Sequence, residues 1–203
     1  MLYLLRHGEI VGSEKKRTIG QTDVPLSSKG VRQAAWWKEE LKHVEFATVY
    51  SSDLMRALDT ARMVSDLHES EIVVTSQLRE IDLGDWDGKL VKDIKTYFPD
   101  AWEERGRHMA SFRTPNGESF QDLHERAIPV FRKIAEEGQG NVLVVAHAGV
   151  NRIILCHVLK KPIQELFSIP QDYAALNRIG RRKGRFQVLS MNETPPENRL
   201  LGV

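Results

Sequence analysis

The sequence predicts an α/β protein, a three-layer α/β/α sandwich with a mostly parallel central sheet and a small inserted cap. Three short apolar runs, residues 2–5, 46–50 and 141–146, are each followed by a polar turn and then a helical pattern, which is the strand-loop-helix signature of a parallel sheet. Residues 85–117 break that rhythm with tryptophans, charges and a "TPNG" turn, a pattern of short helices and loops suited to a cap. No repeat, heptad run, low-complexity block or linker divides the 203 residues, so one domain is expected over 1–203.

The elements follow in order. "MLYLL" is a strand that stops at Arg6-His7-Gly8-Glu9. In "SSKGVRQAAWWKEELKHV", Val31, Ala34, Ala35, Trp37 and Leu41 form a helical stripe with Ser27 or Ser28 as N-cap. The second strand ends in Ser51-Ser52-Asp53, and a helix follows with Leu54, Ala57, Leu58, Ala61 and Val64 on one face and Asp53 or a neighbouring serine as its cap. "EIVVT" at 71–75 reads as another strand. Beyond the cap, "ESFQDLHERAIPVFRKIAEEG" is a long amphipathic helix that Pro129 should bend. "NVLVVA" and a helix near 149–160 form the third unit, and "AALNRIGRRKGRFQVLSM" is a hairpin turning at Lys183 and Gly184. Residues from about 192 to 203 read as a loose tail.

Composition narrows the partners. With 29 basic and 28 acidic residues the net charge is +1, so nothing in bulk charge calls for nucleic acid or an anionic membrane. "RIGRRKGR" is locally basic, but no stacking aromatics interleave with its charges, and it reads as a solvated hairpin. No segment approaches the roughly 18 apolar residues of a membrane span, and "MLYLL" is too short for a signal-peptide core. The one cysteine, Cys156, lies in apolar "NRIILCHVL" and reads as a buried structural thiol. A cytoplasmic location is expected, with oligomeric state open and a homodimer among the options.

In open parallel sheets the site lies beyond the carboxyl ends of the strands. That rule brings Arg6-His7-Gly8, Ser51-Ser52-Asp53 with Arg56, and His147-Ala148-Gly149 to one edge. Zinc would need a third ligand and would not welcome adjacent guanidinium groups, so no metal is expected. Arginines match a phosphoryl group, whose oxygens take their paired donors, and helix N-termini behind Arg56 and His147 add backbone N–H groups. Given a phosphate, neutral His7 can attack phosphorus through a ring nitrogen while a carbonyl fixes the other. His147 would donate to the transferring oxygens. A carboxylic acid must protonate the leaving alkoxide, and "LREIDLGDWDG" offers Glu80, Asp82, Asp85 and Asp87. Spacing alone does not choose among them.

"LLRHGE", "GQTDVPLSSKGVRQA", "VYSSDLMRALDTA", "LREIDLGDWDG" and "VVAHAGVNR" together resemble the histidine phosphatase superfamily, the phosphoglycerate mutase-like proteins. "PNGESFQDLHERA" and the hairpin extend the similarity to about residue 190. The resemblance implies that His7 is phosphorylated, that Arg6, Arg56 and His147 complete the phosphate pocket, that Glu80 is the proton donor, and that no cofactor takes part. Ser13 stands where many relatives carry a phosphate-contacting asparagine, Ile10 where they often carry threonine, Gly20 and Gln21 match the loop lining the site, and Ala148 is expected beside them.

The cap is modest for a mutase, so hydrolysis of a small phosphate ester is expected. The spacing is most similar to alpha-ribazole phosphatase-type members, which act on alpha-ribazole 5′-phosphate in cobalamin assembly; a broad range of phosphate esters is the neighbouring expectation. A cofactor-dependent phosphoglycerate mutase, a fructose-2,6-bisphosphatase-like enzyme and a non-catalytic phospho-ligand binding module are the alternatives. His43, His68, His124 and His157 read as structural or surface residues, with His108 in the cap the one that could reach substrate. Trp36, Trp37, Trp86 and Trp102 read as packing residues, Trp102 with some claim on the pocket wall.

Overall fold

The protein was analysed as a computed structural model, which describes residues 1–66, 71–182 and 184–200. Its strands are β1 (Leu2–Arg6), β2 (Phe46–Ser51), β3 (Val73–Val74), β4 (Asn141–Ala146), β5 (Leu176–Arg182) and β6 (Arg185–Glu193). They form one sheet in the order β3-β2-β4-β1-β5-β6. The pairs β2·β3, β2·β4 and β1·β4 are parallel, and β5 and β6 add an antiparallel edge. The three predicted strand-loop-helix units therefore occupy neighbouring positions, and their loops open on the same side of the sheet.

The layers follow from side-chain alternation in β4, whose residues from Val142 to Ala146 are all buried. Leu143 and Val145 enter a core with Tyr3, Leu5, Trp37 and Val49, beneath α1 (Ser28–Leu41) and α2 (Met55–Ser65). Val142, Val144 and Ala146 enter the other, with Leu4, Phe131 and Ile153, beneath α5 (Phe120–Glu137) and α6 (Ala148–Leu159). A strand buried on both faces needs a continuous apolar run rather than alternation. Each buried Val or Leu stabilises the fold by about 1.5–3 kcal/mol.

Helix ends depart from expectation in one place. Ser27 caps α1, accepting from the N–H of Gly30, and Ser119 forms a capping box with Asp122 at the start of α5. For α2, however, the N-cap is Leu54 with no side-chain cap. Asp53 instead pairs with Arg79 through two hydrogen bonds, and the N–H of Met55 is taken by Asp23 from the loop before α1. The bidentate guanidinium outcompetes one amide for the carboxylate.

The cap consists of a 3-10 turn at Gly84–Trp86, α3 (Val91–Tyr97) and α4 (Pro99–Arg107). α5 runs on as a helix across Pro129. The expected "EIVVT" strand shortens to two residues. Part of the expected loose tail is ordered: β6 extends to Glu193, a 3-10 turn spans Glu197–Arg199, and Leu200 is buried. A buried apolar anchor is what ties down a terminus. Of the hairpin turn, Gly184 has φ 76°, while Lys183 lies outside the described residues, as does His68. Among the described residues no helix is long and apolar enough to cross a membrane.

Candidate active site

The site is built where β1, β2 and β4 end. Gly8 follows the first strand because the chain there presses on α1: a Cβ on Gly8 would stand 2.6 Å from the carbonyl oxygen of Gly30, and one on Gly30 would stand 2.1 Å from that of Glu9. The loop is also pinned by the sheet, with His7 N–H donating to Ala146 at 3.1 Å and Ala174 N–H donating to the His7 carbonyl at 3.0 Å. Thr60 of α2 accepts from the Gly8 N–H at 3.1 Å. His7 is thus held by β4, by the segment before β5 and by two helices.

Its ring is fixed as well. Nδ1 lies 2.8 Å from the Gly8 carbonyl, so Nδ1 carries the proton and Nε2 keeps the free lone pair. Burial, followed by the Arg6 and Arg56 cations, pushes the His7 pKa well below its ordinary value, against a smaller opposing effect of the Gly8 bond. The imidazole is held neutral, the form in which nitrogen is nucleophilic.

His147 caps α6 and is fully buried, its ring centroid 5.1 Å from that of His7. Ser52 Oγ lies 2.7 Å from its Nε2. Burial first, then Arg56, His7 and Arg6, hold its pKa well below the ordinary value. Arg56, 1% exposed, spends its terminal nitrogens on the carbonyls of Thr22 (2.9 Å) and Gly20 (2.5 Å). Arg6 donates to the Gln171 carbonyl at 2.6 Å and lies 3.8 Å from the Tyr173 ring centroid. The Nε atoms of Arg6 and Arg56 and Nδ1 of His147 are buried without a protein partner. Unpaired buried donors are costly, and a tetrahedral anion is the group that satisfies several converging donors at once. Among the described residues no cluster of three metal-ligating side chains exists.

Glu80 sits at the N-terminus of α6, where Gly149 N–H reaches Oε1 at 3.1 Å and Oε2 at 3.0 Å, and Ile81 N–H reaches Oε1 at 2.9 Å. Glycine at 149 is required for this approach, since a Cβ would stand 2.3 Å from Oε1. The other carboxylates of the segment are spent on structural bonds: Asp82 accepts from Gly84 within its own turn, Asp85 from Asn116, and Asp87 from Gly20 and Thr22 of a distant loop. Of the four, Glu80 alone lines the adjoining cavity of about 530 Å³.

That cavity is also walled by Arg6, Ser13, Ala148, Trp86 and Trp102. Gly20 and Gln21 do not reach its wall. Gly20 serves through its backbone, and Gln21 donates to the Glu80 carbonyl at 3.2 Å. His108 ends α4 away from the cavity, and His124 and His157 face each other at 6.2 Å in the α5 and α6 layer. Ser52, Thr60, Arg126, Gln171 and Tyr173 support the site without having been singled out. Only Ser52 carried a usable signal, its place at the end of the second strand.

Comparison with known proteins agrees with this geometry. The sequence profile described as the Histidine phosphatase superfamily (branch 1) matches residues 2–194. The chain is 27% identical over 205 residues to the adenosylcobalamin/alpha-ribazole phosphatase of Escherichia coli, covering 97% of this chain and 98% of that one. It is 28% identical over 197 residues to phosphoserine phosphatase 1 of Hydrogenobacter thermophilus, covering 95% and 92%. The crystal structure of the alpha-ribazole phosphatase from Shigella flexneri superposes with a TM-score of 0.84 at 26% identity, covering 100% of this chain and 98% of that one. With a profile spanning nearly its whole length and its arginines and histidines gathered at one sheet edge, the chain belongs to the histidine phosphatase superfamily.

Proposed function

We propose that this protein is a phosphomonoesterase that hydrolyses small phosphate esters through a phosphohistidine on His7. The observation that carries the reading is the His7 ring itself: Nδ1 is tied to the Gly8 carbonyl, and burial with two arginines keeps the ring neutral. Nε2 therefore holds a lone pair at neutral pH, beside donors suited to phosphate oxygens.

In the first step Nε2 forms a bond to phosphorus as the bond from phosphorus to the ester oxygen breaks. The leaving oxygen takes its proton from the Glu80 carboxylic acid. Oε2 is the better placed oxygen, since it accepts one backbone N–H where Oε1 accepts two. In the second step Glu80, now a carboxylate, takes a proton from water as that water attacks phosphorus; the bond from nitrogen to phosphorus breaks, and inorganic phosphate and neutral His7 are regenerated. Arg6, Arg56 and His147 offset the charge on the transferring oxygens throughout. No step calls on a cofactor.

The substrates named for the relatives, alpha-ribazole phosphate and phosphoserine, define the first panel to test, and a cavity of about 530 Å³ suits esters of that size. The buried Cys156, its thiol pushed up by burial, suits a reducing compartment such as the cytoplasm. Rapid-quench labelling with a phosphorus-labelled ester is expected to put acid-labile phosphate on the native protein and none on His7→Ala. Undiminished labelling of that variant removes His7 from the role. Isomerisation of 3-phosphoglycerate with little free phosphate, given catalytic 2,3-bisphosphoglycerate, would move the chain to the mutases.

A further inference from the structure

The cavity beside Arg6 and Glu80 contains a cationic cluster that phosphoryl transfer does not use. Phe167, on the 3-10 turn Ile163–Ser168 after α6, has the Arg105 guanidinium 5.7 Å and the Arg152 guanidinium 5.2 Å from its ring centroid. Arg105 also lies 5.3 Å from the Trp102 centroid. All four residues line the cavity. One guanidinium comes from the cap and the other from α6, so the fold brings two like charges to a single ring.

Neither is neutralised at short range. Among the described residues the Arg105 guanidinium has no hydrogen bond or ion pair, and that of Arg152 makes one bond, from Nε to the Ile169 carbonyl at 2.9 Å. Glu80 and Asp172 act on Arg152 across longer distances. Ring faces attract such cations, which positions them but leaves their planar N–H forks open. The wall supplies further positive charge from Lys15 and Arg17, and its one acid is Glu80. The rest is mostly apolar, with Ile10, Val24, Leu83 and Trp86 among its residues beside Ser13, Thr18 and Tyr173.

We propose that Arg105 and Arg152, held on Phe167, bind a second anionic group, a carboxylate or phosphate, on the same ester whose phosphoryl group is taken by Arg6 and His7. The inference rests on the phosphomonoesterase reading and narrows it to a substrate class: phosphate esters with a short apolar body and an anion at the other end. Bidentate guanidinium binding suits either anion. An ester lacking that group leaves both forks unpaired and is discriminated against.

Phenyl phosphates carrying a para ethyl, carboxymethyl or phosphonomethyl group test it, because the aromatic body and leaving oxygen stay nearly constant while the second charge changes. In the native enzyme kcat/KM for at least one anionic ester is expected to exceed that of the ethyl ester by about tenfold or more, the effect of one charge-assisted hydrogen bond. Which anionic ester is favoured separates carboxylate from phosphate recognition. In Arg105→Gln the ratio is expected to fall towards one, with Arg105→Lys keeping part of it. Equal turnover of all three esters by the native enzyme overturns the subsite and leaves the phosphatase reading intact. A ratio that survives Arg105→Gln overturns the assignment to this cluster. No turnover of any ester, with no phosphohistidine, removes the phosphatase reading and the subsite with it.

Discussion

Ser52 and His147 are 95 residues apart, yet Ser52 Oγ lies 2.7 Å from the His147 Nε2, both side chains fully buried where β2 and β4 end. The hydroxyl can donate to Nε2, which places the ring proton on Nδ1, the atom left without a protein partner. An anion selects that tautomer, since Nδ1–H is then a donor and not a repelling lone pair. His147→Ala is expected to lower kcat about 10²- to 10³-fold, as loss of one preorganised donor does. Ser52→Ala, which removes only the orienting bond, should cost a smaller factor, about tenfold. Single-turnover rates of enzyme phosphorylation measure both, and an unaltered rate in Ser52→Ala would show that packing alone orients the ring.

Gly149 makes room for Glu80, whose Oε1 would meet a Cβ there at 2.3 Å. Gly149→Ala is therefore expected to displace the carboxyl while the fold persists, because a side-chain end can move where a helix cannot. Its signature should match that of Glu80→Gln: hydrolysis of alkyl phosphates slowed about 10²- to 10⁴-fold, and that of p-nitrophenyl phosphate, whose leaving group needs little protonation, slowed much less. Equal slowing of both substrate types would point to a damaged phosphate pocket.

Arg126 clamps the segment that carries Glu80. Its Nε and Nη2 donate to the Glu118 carboxylate at 2.9 and 2.7 Å, and its remaining bonds reach the carbonyls of Gln77, Arg79 and Glu80. Glu118 in turn accepts from the Asp82 N–H at 2.9 Å. Arg126→Met is expected to cost about 2–3 kcal/mol in urea unfolding, because it leaves the largely buried Glu118 carboxylate without its cation and takes one donor from three carbonyls. As a positioning residue, Arg126 should also affect kcat more than KM. A variant with native kcat would restrict the clamp to stability.

Both site histidines have their pKa values pushed well below 6.5 in the folded protein, burial being the largest cause for each. Below about pH 6.5 the unfolded chain binds protons that the folded chain refuses. Stability is thus full above that pH and falls as pH drops towards the folded values, by about 1.4 kcal/mol per pH unit for each histidine. Urea midpoints are expected to decline between about pH 6.5 and 5.5 in the native protein, and less steeply in His147→Asn. Parallel declines in the two proteins would contradict a buried neutral His147.

Apolar runs followed by polar turns made the parallel strands, and the edge where His7, Arg56 and His147 gather, legible in the sequence. Those properties are local: apolar runs force buried strands, and residues following parallel strands must emerge at their carboxyl ends. "RHG", "SSD" and "HAG" each follow such a run and so emerge at one edge of the sheet. Spacing does not separate the four carboxylates in "LREIDLGDWDG", however, and the structure tells them apart because Glu80 accepts from the Gly149 N–H of α6 while Asp82, Asp85 and Asp87 accept from Gly84, Asn116 and the Gly20–Thr22 loop. The cap of α2 by Asp23, the Ser52 bond to His147, the Arg126 clamp and the pairing of Arg105 with Arg152 across Phe167 were likewise decided in three dimensions. Each joins residues far apart in the chain through side chains whose partners are set by distance and direction, and periodicity carries no information about either.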